Sequence, residues 1–202
     1  MVLAEFGSGK IRVVELDPNV KSKSEQNLVR EIFAISGLQA PAGVACDRKG
    51  QLLVACEWNG HAKLFDVQGR LIRTFACQGN QAVSNPYDVW VLDTYGVIGI
   101  ADHGNHRLRI WTRDGSQELA NVMVPFATAL HSDFDDYLLV AEQNPSGIEV
   151  FDPRNWKSAG KIAENLFSSA FGMCVEENDQ VFVSNWGKSQ IQVIQGIRRA
   201  PK

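Results

Sequence analysis

The chain repeats itself, and the repeat limits its possible folds more than any other feature. Five segments align without a gap: Leu3 to Val14, Val54 to Phe65, Ile100 to Trp111, Val140 to Phe151 and Val183 to Ile194. Ala4, Ala55, Ala101, Ala141 and Ser184 anchor them, at spacings of 51, 46, 40 and 43 residues. Seven residues beyond each anchor stands Ile11, Ala62, Leu108, Ile148 or Ile191, and two further on Val13, Leu64, Ile110, Val150 or Val193. Between those two the residue is polar every time: Arg12, Lys63, Arg109, Glu149, Gln192. Small and polar residues, several of them glycine, fill the gap after the anchor. Apolar alternation on both sides of such a gap predicts strand, tight turn, strand.

A second element precedes four of the five segments. It reads Pro41 to Asp47, Pro86 to Asp93, Pro125 to His131 and Ala170 to Glu176. Each is a short apolar strand running into a polar turn such as Asp47-Arg-Lys-Gly50. A further turn and a fourth strand, such as Arg70 to Phe75, close the unit. Four short antiparallel strands in about 45 residues is the period of a propeller blade. No blade buries both faces alone, so the units must stack around an axis. The expected fold is an all-β propeller forming a single domain over 1–202. Its units run from about 1–37, 38–80, 81–122, 123–166 and 167–202.

Composition agrees. The 202 residues are 45% apolar and 21% charged, enough for one packed domain and too apolar for disorder. A net charge of −3 writes no general attraction to DNA or an anionic membrane into the chain. No stretch approaches the length of a membrane span. The N-terminus lacks the basic and apolar regions of a signal peptide. Cys46, Cys56, Cys77 and Cys174 show no paired spacing, which reads as reduced, mostly buried thiols in a cytoplasmic protein.

Pro-x-Gly-Val-x-x-Asp, a Gly turn, Val-Ala-Asp and then Gly-Asn-His-Arg before an alternating strand resembles the NHL repeat. The third unit, Ile100-Ala-Asp-His-Gly-Asn-His-Arg-Leu-Arg-Ile110, is the closest copy and Val54 to His61 a looser one. The fourth and fifth keep the strands and lose the Asn-His-Arg turn. The Gly-His and Trp-Asp pairs of WD repeats are missing. The resemblance covers the chain except the polar insert Asn19 to Asn27. It implies part of a six-bladed ring, because the first unit lacks its Pro-Gly strand and the last stops after its third. It also implies a recognition module binding protein, peptide or single-stranded RNA, of the kind found at the C-terminus of tripartite-motif ubiquitin ligases. No RING cysteine pattern occurs, so no ligase activity is expected of this chain itself. The alternative resemblance is to a propeller lyase or hydrolase of the peptide-amidating type.

Link and turn positions should fall on one face of the disc. Tyr87, Phe126 and Phe171 after the links, and Trp58, His103, Asn105, Arg107, Asn144 and Trp186 in the turns, are the candidate binding residues. Aromatics interleaved with amides and cations suit bases and phosphates, or a peptide. Arg113 should lie on the opposite side and serve as a silent control. His61, His103, His106 and His131 have no ligand spacing, and Asp133 to Asp136 lacks the frame of a calcium loop. No metal, cofactor or catalytic residue is expected, and no enzyme activity. Arg12, Lys63 and Arg109 read as a solvated strand face.

Overall fold

The computed structural model describes residues 1–16, 29–75, 82–144, 146–176 and 180–195. These form five antiparallel sheets arranged as a five-bladed propeller, with no α-helix among them. Blade one is β1 (Val2–Glu5), β2 (Lys10–Leu16) and β3 (Val29–Ile35). Blade two is β4 (Pro41–Cys46), β5 (Leu52–Cys56), β6 (His61–Phe65) and β7 (Leu71–Phe75). Blade three is β8 (Pro86–Leu92), β9 (Val97–Asp102), β10 (Arg107–Thr112) and β11 (Glu118–Met123). Blade four is β12 (Ala127–Ser132), β13 (Leu138–Gln143), β14 (Ser146–Asp152) and β15 (Lys157–Ile162). Blade five is β16 (Ala170–Val175), β17 (Val181–Asn185) and β18 (Gln190–Ile194). The insert Asn19 to Asn27 and Cys77 lie outside the described residues.

The sequence repeat is the hairpin register. Ala4 pairs with Ile11, Ala55 with Ala62, Ala101 with Leu108, Ala141 with Ile148 and Ser184 with Ile191. In four of the five blades the residue five past the anchor is left-handed. Gly9 and Gly60 hold this conformation at φ of 63° and 62° in blades one and two. A Cβ there would also stand 2.3 Å from the Leu38 carbonyl oxygen or 2.4 Å from that of Val83. His106 and Ser189 take the same conformation in blades three and five at φ of 55° and 51°, at the end of single 3₁₀ turns. Each bonds its backbone N–H to the carbonyl of His103 or Trp186.

Four apolar cores lie between the blades rather than inside them. Between blades two and three, Leu53, Ala55 and Leu64 meet Val89, Ile98 and Ile100. Between three and four, Trp90, Ala101 and Leu108 meet Ala127, Leu130 and Val140. Similar cores join one to two and four to five. Each is plugged by one link residue, Leu38, Val83, Val124 or Phe167. Each of these stands three positions before an inner strand. At roughly 25 cal/mol per Å² of buried apolar surface, such seams carry the stability of the ring.

The polar loops behave as local turns. Asp133 Oδ1 accepts from the backbone N–H groups of Asp135 at 3.0 Å and Tyr137 at 2.8 Å. Asp47 does the same for Lys49 at 2.7 Å and Gln51 at 2.8 Å. Two sequence expectations are corrected. Arg109 is no solvated residue: its side chain is 0% exposed, paired with Glu118 at 2.7 Å and lying over the Trp111 ring. The thiols are not mostly buried, since Cys46 and Cys174 are exposed and only Cys56 of the described three is buried. Arg113 is not idle. It pairs with Asp47 and Asp93 and thereby ties blade two to blade three.

Candidate binding face

Every complete inner strand begins with a β-bulge. The pairing of the inner strand with its neighbour slips between Pro41 and Val44, Pro86 and Asp88, Ala127 and Ala129, and Ala170 and Gly172. The residue just after the strand start is the extra one: Ala42, Tyr87, Thr128, Phe171. A bulge re-aims its side chain. All four side chains line one pocket of about 360 Å³ at the mouth of the axial channel. The remainder of its wall comes from Ala4, Phe6, Pro41 and Glu57. Below it the four inner strands enclose a channel of about 560 Å³.

A second ring surrounds the mouth. The residue two past each anchor is Phe6, Glu57, His103, Gln143 or Trp186. The two rings join into an aromatic band. Tyr87 stacks on His103 with centroids 4.0 Å apart, and Phe171 lies 5.9 Å from Tyr87. Phe171 meets Trp186 edge-on at 5.7 Å. On the other side, Phe126 packs against His103 at 5.5 Å and His106 at 4.2 Å. Trp58 meets Phe6 edge-on at 5.7 Å. Trp58 and Trp186 are 71% and 72% exposed, so large apolar faces are offered to solvent. A cavity of about 880 Å³ between blades one and five, walled by Phe6, Phe171, Trp186 and Ile191, opens beside the mouth.

Not all the candidate residues belong to this face in the same way. Phe126 was aligned with Tyr87 through Pro125, but the strand pairing makes Thr128 the equivalent residue. Phe126 instead sits in the link at φ 49°, walling a separate pocket with Asn144 and Gln143. Asn105 and Arg107 serve the fold. Asn105 Nδ2 donates to Asp102 at 2.9 Å and to the Ala82 carbonyl at 2.8 Å. Arg107 Nε donates to Asp102 at 2.6 Å, and Nη2 donates to the Ala82 carbonyl at 3.0 Å. Asp102 is fully buried and also accepts the Ser84 N–H at 2.7 Å. In blade five Asn185 takes the same place, accepting from the N–H groups of Ser168 and Ser169 at 3.2 Å. Thus the Asn-His-Arg turn clamps a hairpin to its link, and a charge-assisted network of this kind is costly to open.

The charges left at the mouth are acidic. Burial raises the Glu57 carboxyl above its ordinary range, against a hydrogen bond from Asn85. Burial, and then the Glu57 charge, raises the Tyr87 phenol. Burial lowers the His103 imidazole, which is therefore neutral at pH 7. Its Nδ1 lies 3.1 Å from the Ala127 carbonyl, which can only accept, so Nδ1 carries the proton and Nε2 a lone pair. Asp88 is the residue sequence reasoning missed. It follows the bulge, where blades two, four and five have Gly43, Ala129 and Gly172. A Cβ on Gly43 would stand 2.3 Å from Asp88 Oδ1, so the carboxyl fits only beside glycine. It accepts from the N–H groups of Val89 and Leu130, each at 2.9 Å, and burial pushes it up to about 7. An acid in an otherwise apolar inner strand was the available signal. Among the described residues no group of three His, Cys, Asp or Glu side chains could hold a metal ion.

No protein-family model matches the sequence, and no curated protein matches it. Solved structures do. A catalytically inactive virginiamycin B lyase from Staphylococcus aureus, solved with quinupristin, is 13% identical with a TM-score of 0.71. The match covers 97% of this chain and 63% of that one. A streptogramin B lyase is 13% identical at a TM-score of 0.67, covering 98% of this chain and 68% of that one. The hydrazine synthase of Kuenenia stuttgartiensis is 11% identical at a TM-score of 0.61, covering 79% and 51%. The chain thus spans about two thirds or less of the length of these structures. Likeness at such identity is likeness of fold.

Proposed function

We propose that the chain is a recognition module whose aromatic face binds a peptide or an exposed protein segment. The observation that carries this reading is the band running His103, Tyr87, Phe171, Trp186 across the mouth, with an acid, Glu57, rather than a cation in the mouth pocket. Stacking surface without phosphate-holding charge suits apolar and cationic side chains better than RNA, because Arg107 is consumed by Asp102. The cavity between blades one and five would take an apolar side chain beside the band. The NHL-like turn of blade three supports placing the chain with substrate-recognition domains of ubiquitin-ligase-type proteins. Cys46, Cys56 and Cys174, the described cysteines, are free, in accord with a cytoplasmic site of action.

The test is capture from a random peptide library and from a single-stranded RNA pool, with Tyr87→Ala and Phe171→Ala in parallel. Selective peptide enrichment that both substitutions abolish supports the reading. Enrichment of RNA alone, or of neither, sinks it.

Asp88 favours a second reading, a lyase or hydrolase. A carboxyl pushed up to about 7 in the channel below the mouth has the proton affinity of a general base. Substrate turnover lost in Asp88→Asn and retained in Tyr87→Ala would favour this reading over recognition.

A further inference from the structure

We propose that the mouth pocket is a cage for an alkylated ammonium group carried on the bound peptide, such as a methylated lysine side chain. The inference rests on the peptide-binding reading and names the chemistry of its central subsite. Three aromatic rings wall the pocket: Phe6 from blade one, Tyr87 from blade three and Phe171 from blade five. They come from separate blades, so they surround the space rather than lie along one side of it. Tyr87 and Phe171 are stacked, 5.9 Å apart at 27°, and both line the pocket together with Phe6. The negative faces of such rings attract an ammonium group, and more strongly where water is excluded.

One ionisable acid and no cation complete the wall. Glu57 stands in the outer ring beside Tyr87, and its charge is felt by the Tyr87 phenol. Ala42 and Thr128, the two remaining bulge residues, are small. Their smallness leaves the space open where an aromatic ring would fill it. The volume of about 360 Å³ is at the small end for ligand pockets, roughly 300–1,000 Å³, and fits a side-chain head rather than a whole drug-sized molecule. The Glu57 carboxyl takes a hydrogen bond from the neutral Asn85 and, among the described residues, has no cationic partner. An ammonium ligand would supply that partner and is the occupant with complementary charge.

The experiment uses two short peptides, identical except that one carries trimethyllysine and the other its uncharged carbon isostere. Choline and its uncharged isostere 3,3-dimethylbutan-1-ol form a second pair. The readout is the NMR shift of the Phe6, Tyr87 and Phe171 ring protons during titration at constant ionic strength. The charged peptide should bind ~10-fold tighter than its isostere. Glu57→Gln keeps size and hydrogen-bonding capacity, and should narrow the gap between the charged peptide and its isostere without closing it, because the rings keep their attraction for the cation. Phe171→Ala should weaken both. Equal binding of the isostere would overturn the cage in favour of a plain apolar pocket, and no effect of Glu57→Gln would overturn the part given to Glu57. Choline binding as tightly as the charged peptide would support an ammonium site and overturn its peptide source. If the library enriches peptides on the aromatic band while neither ammonium probe shifts the three rings, the cage fails and the recognition reading stands. If choline shifts the rings and the library yields nothing, the ammonium site stands and the peptide reading fails.

Discussion

The Tyr87 ring lies flat on the His103 imidazole, 4.0 Å between centroids and 12° from parallel. The pair joins the bulge of one strand to the turn of the next. It covers a neutral imidazole whose proton affinity is already lowered by burial. Tyr87→Ala should therefore uncover His103 and raise its pKa toward the ordinary histidine value, while abolishing peptide binding. Imidazole titration by NMR, alongside the binding assay, measures both. An unchanged His103 titration would mean that the stack contributes nothing to its burial.

Gly43→Ala should destabilise the protein by roughly 1–3 kcal/mol, the usual cost of overpacking. The new methyl group would meet Asp88 Oδ1 at 2.3 Å, Asp88 Cα at 2.6 Å and the Tyr87 carbonyl at 2.9 Å. Two of these are backbone atoms, which cannot swing aside. Thermal unfolding monitored by circular dichroism reads the loss. The double variant with Asp88→Ala should recover only part of it.

Asp88 gives stability a specific pH dependence. Its folded pKa of about 7 lies above the ordinary 3.8, so the folded state binds the proton more tightly than the unfolded chain. Its contribution is complete below about pH 3.8 and is lost as pH rises through about 7. Asp88→Asn should flatten that slope. The check is melting temperature against pH for both proteins; parallel curves between pH 4 and 7 would assign the slope elsewhere.

Arg113→Ala should cost about 2–3 kcal/mol, below the 3–5 of a fully buried pair because Arg113 keeps some exposure. It would leave the buried Asp47 carboxylate without its cation at the junction of blades two and three. Peptide affinity should not change, since Arg113 lies among the Asp47 and Asp93 turns, outside the mouth. Chemical denaturation measures the first, titration the second.

Register was legible in the sequence because a hairpin of fixed length writes its pairing as a fixed offset. Ala101 and Leu108 could be paired from the alignment, and so could the other four couples. The exposed Trp58 and Trp186 followed from their places in tight turns. The mouth was harder to read. A bulge leaves no offset in the apolar pattern, so Pro125 was matched to Pro86 and Phe126 to Tyr87, where pairing makes Thr128 the counterpart. Asn105 and Arg107 carry the residue types of a binding surface. Only the buried position of Asp102 shows that they bond inward. Arg109 misled for a related reason: Glu118, its partner, arrives from a different strand.

The bulges separate two jobs that a strand residue usually performs together. Tyr87 and Phe171 stand outside the seams, whereas Val89 and Ala170 nearby help build them. The identities at positions 42, 87 and 171 can therefore be rewritten with little effect on how blades adhere, whereas Thr128 is buried and bonds the Ala141 carbonyl. Three addresses around one axis give a combinatorial surface whose chemistry can drift from apolar to acidic to aromatic by single steps. A lineage using this scaffold could change what it recognises much faster than it changes shape.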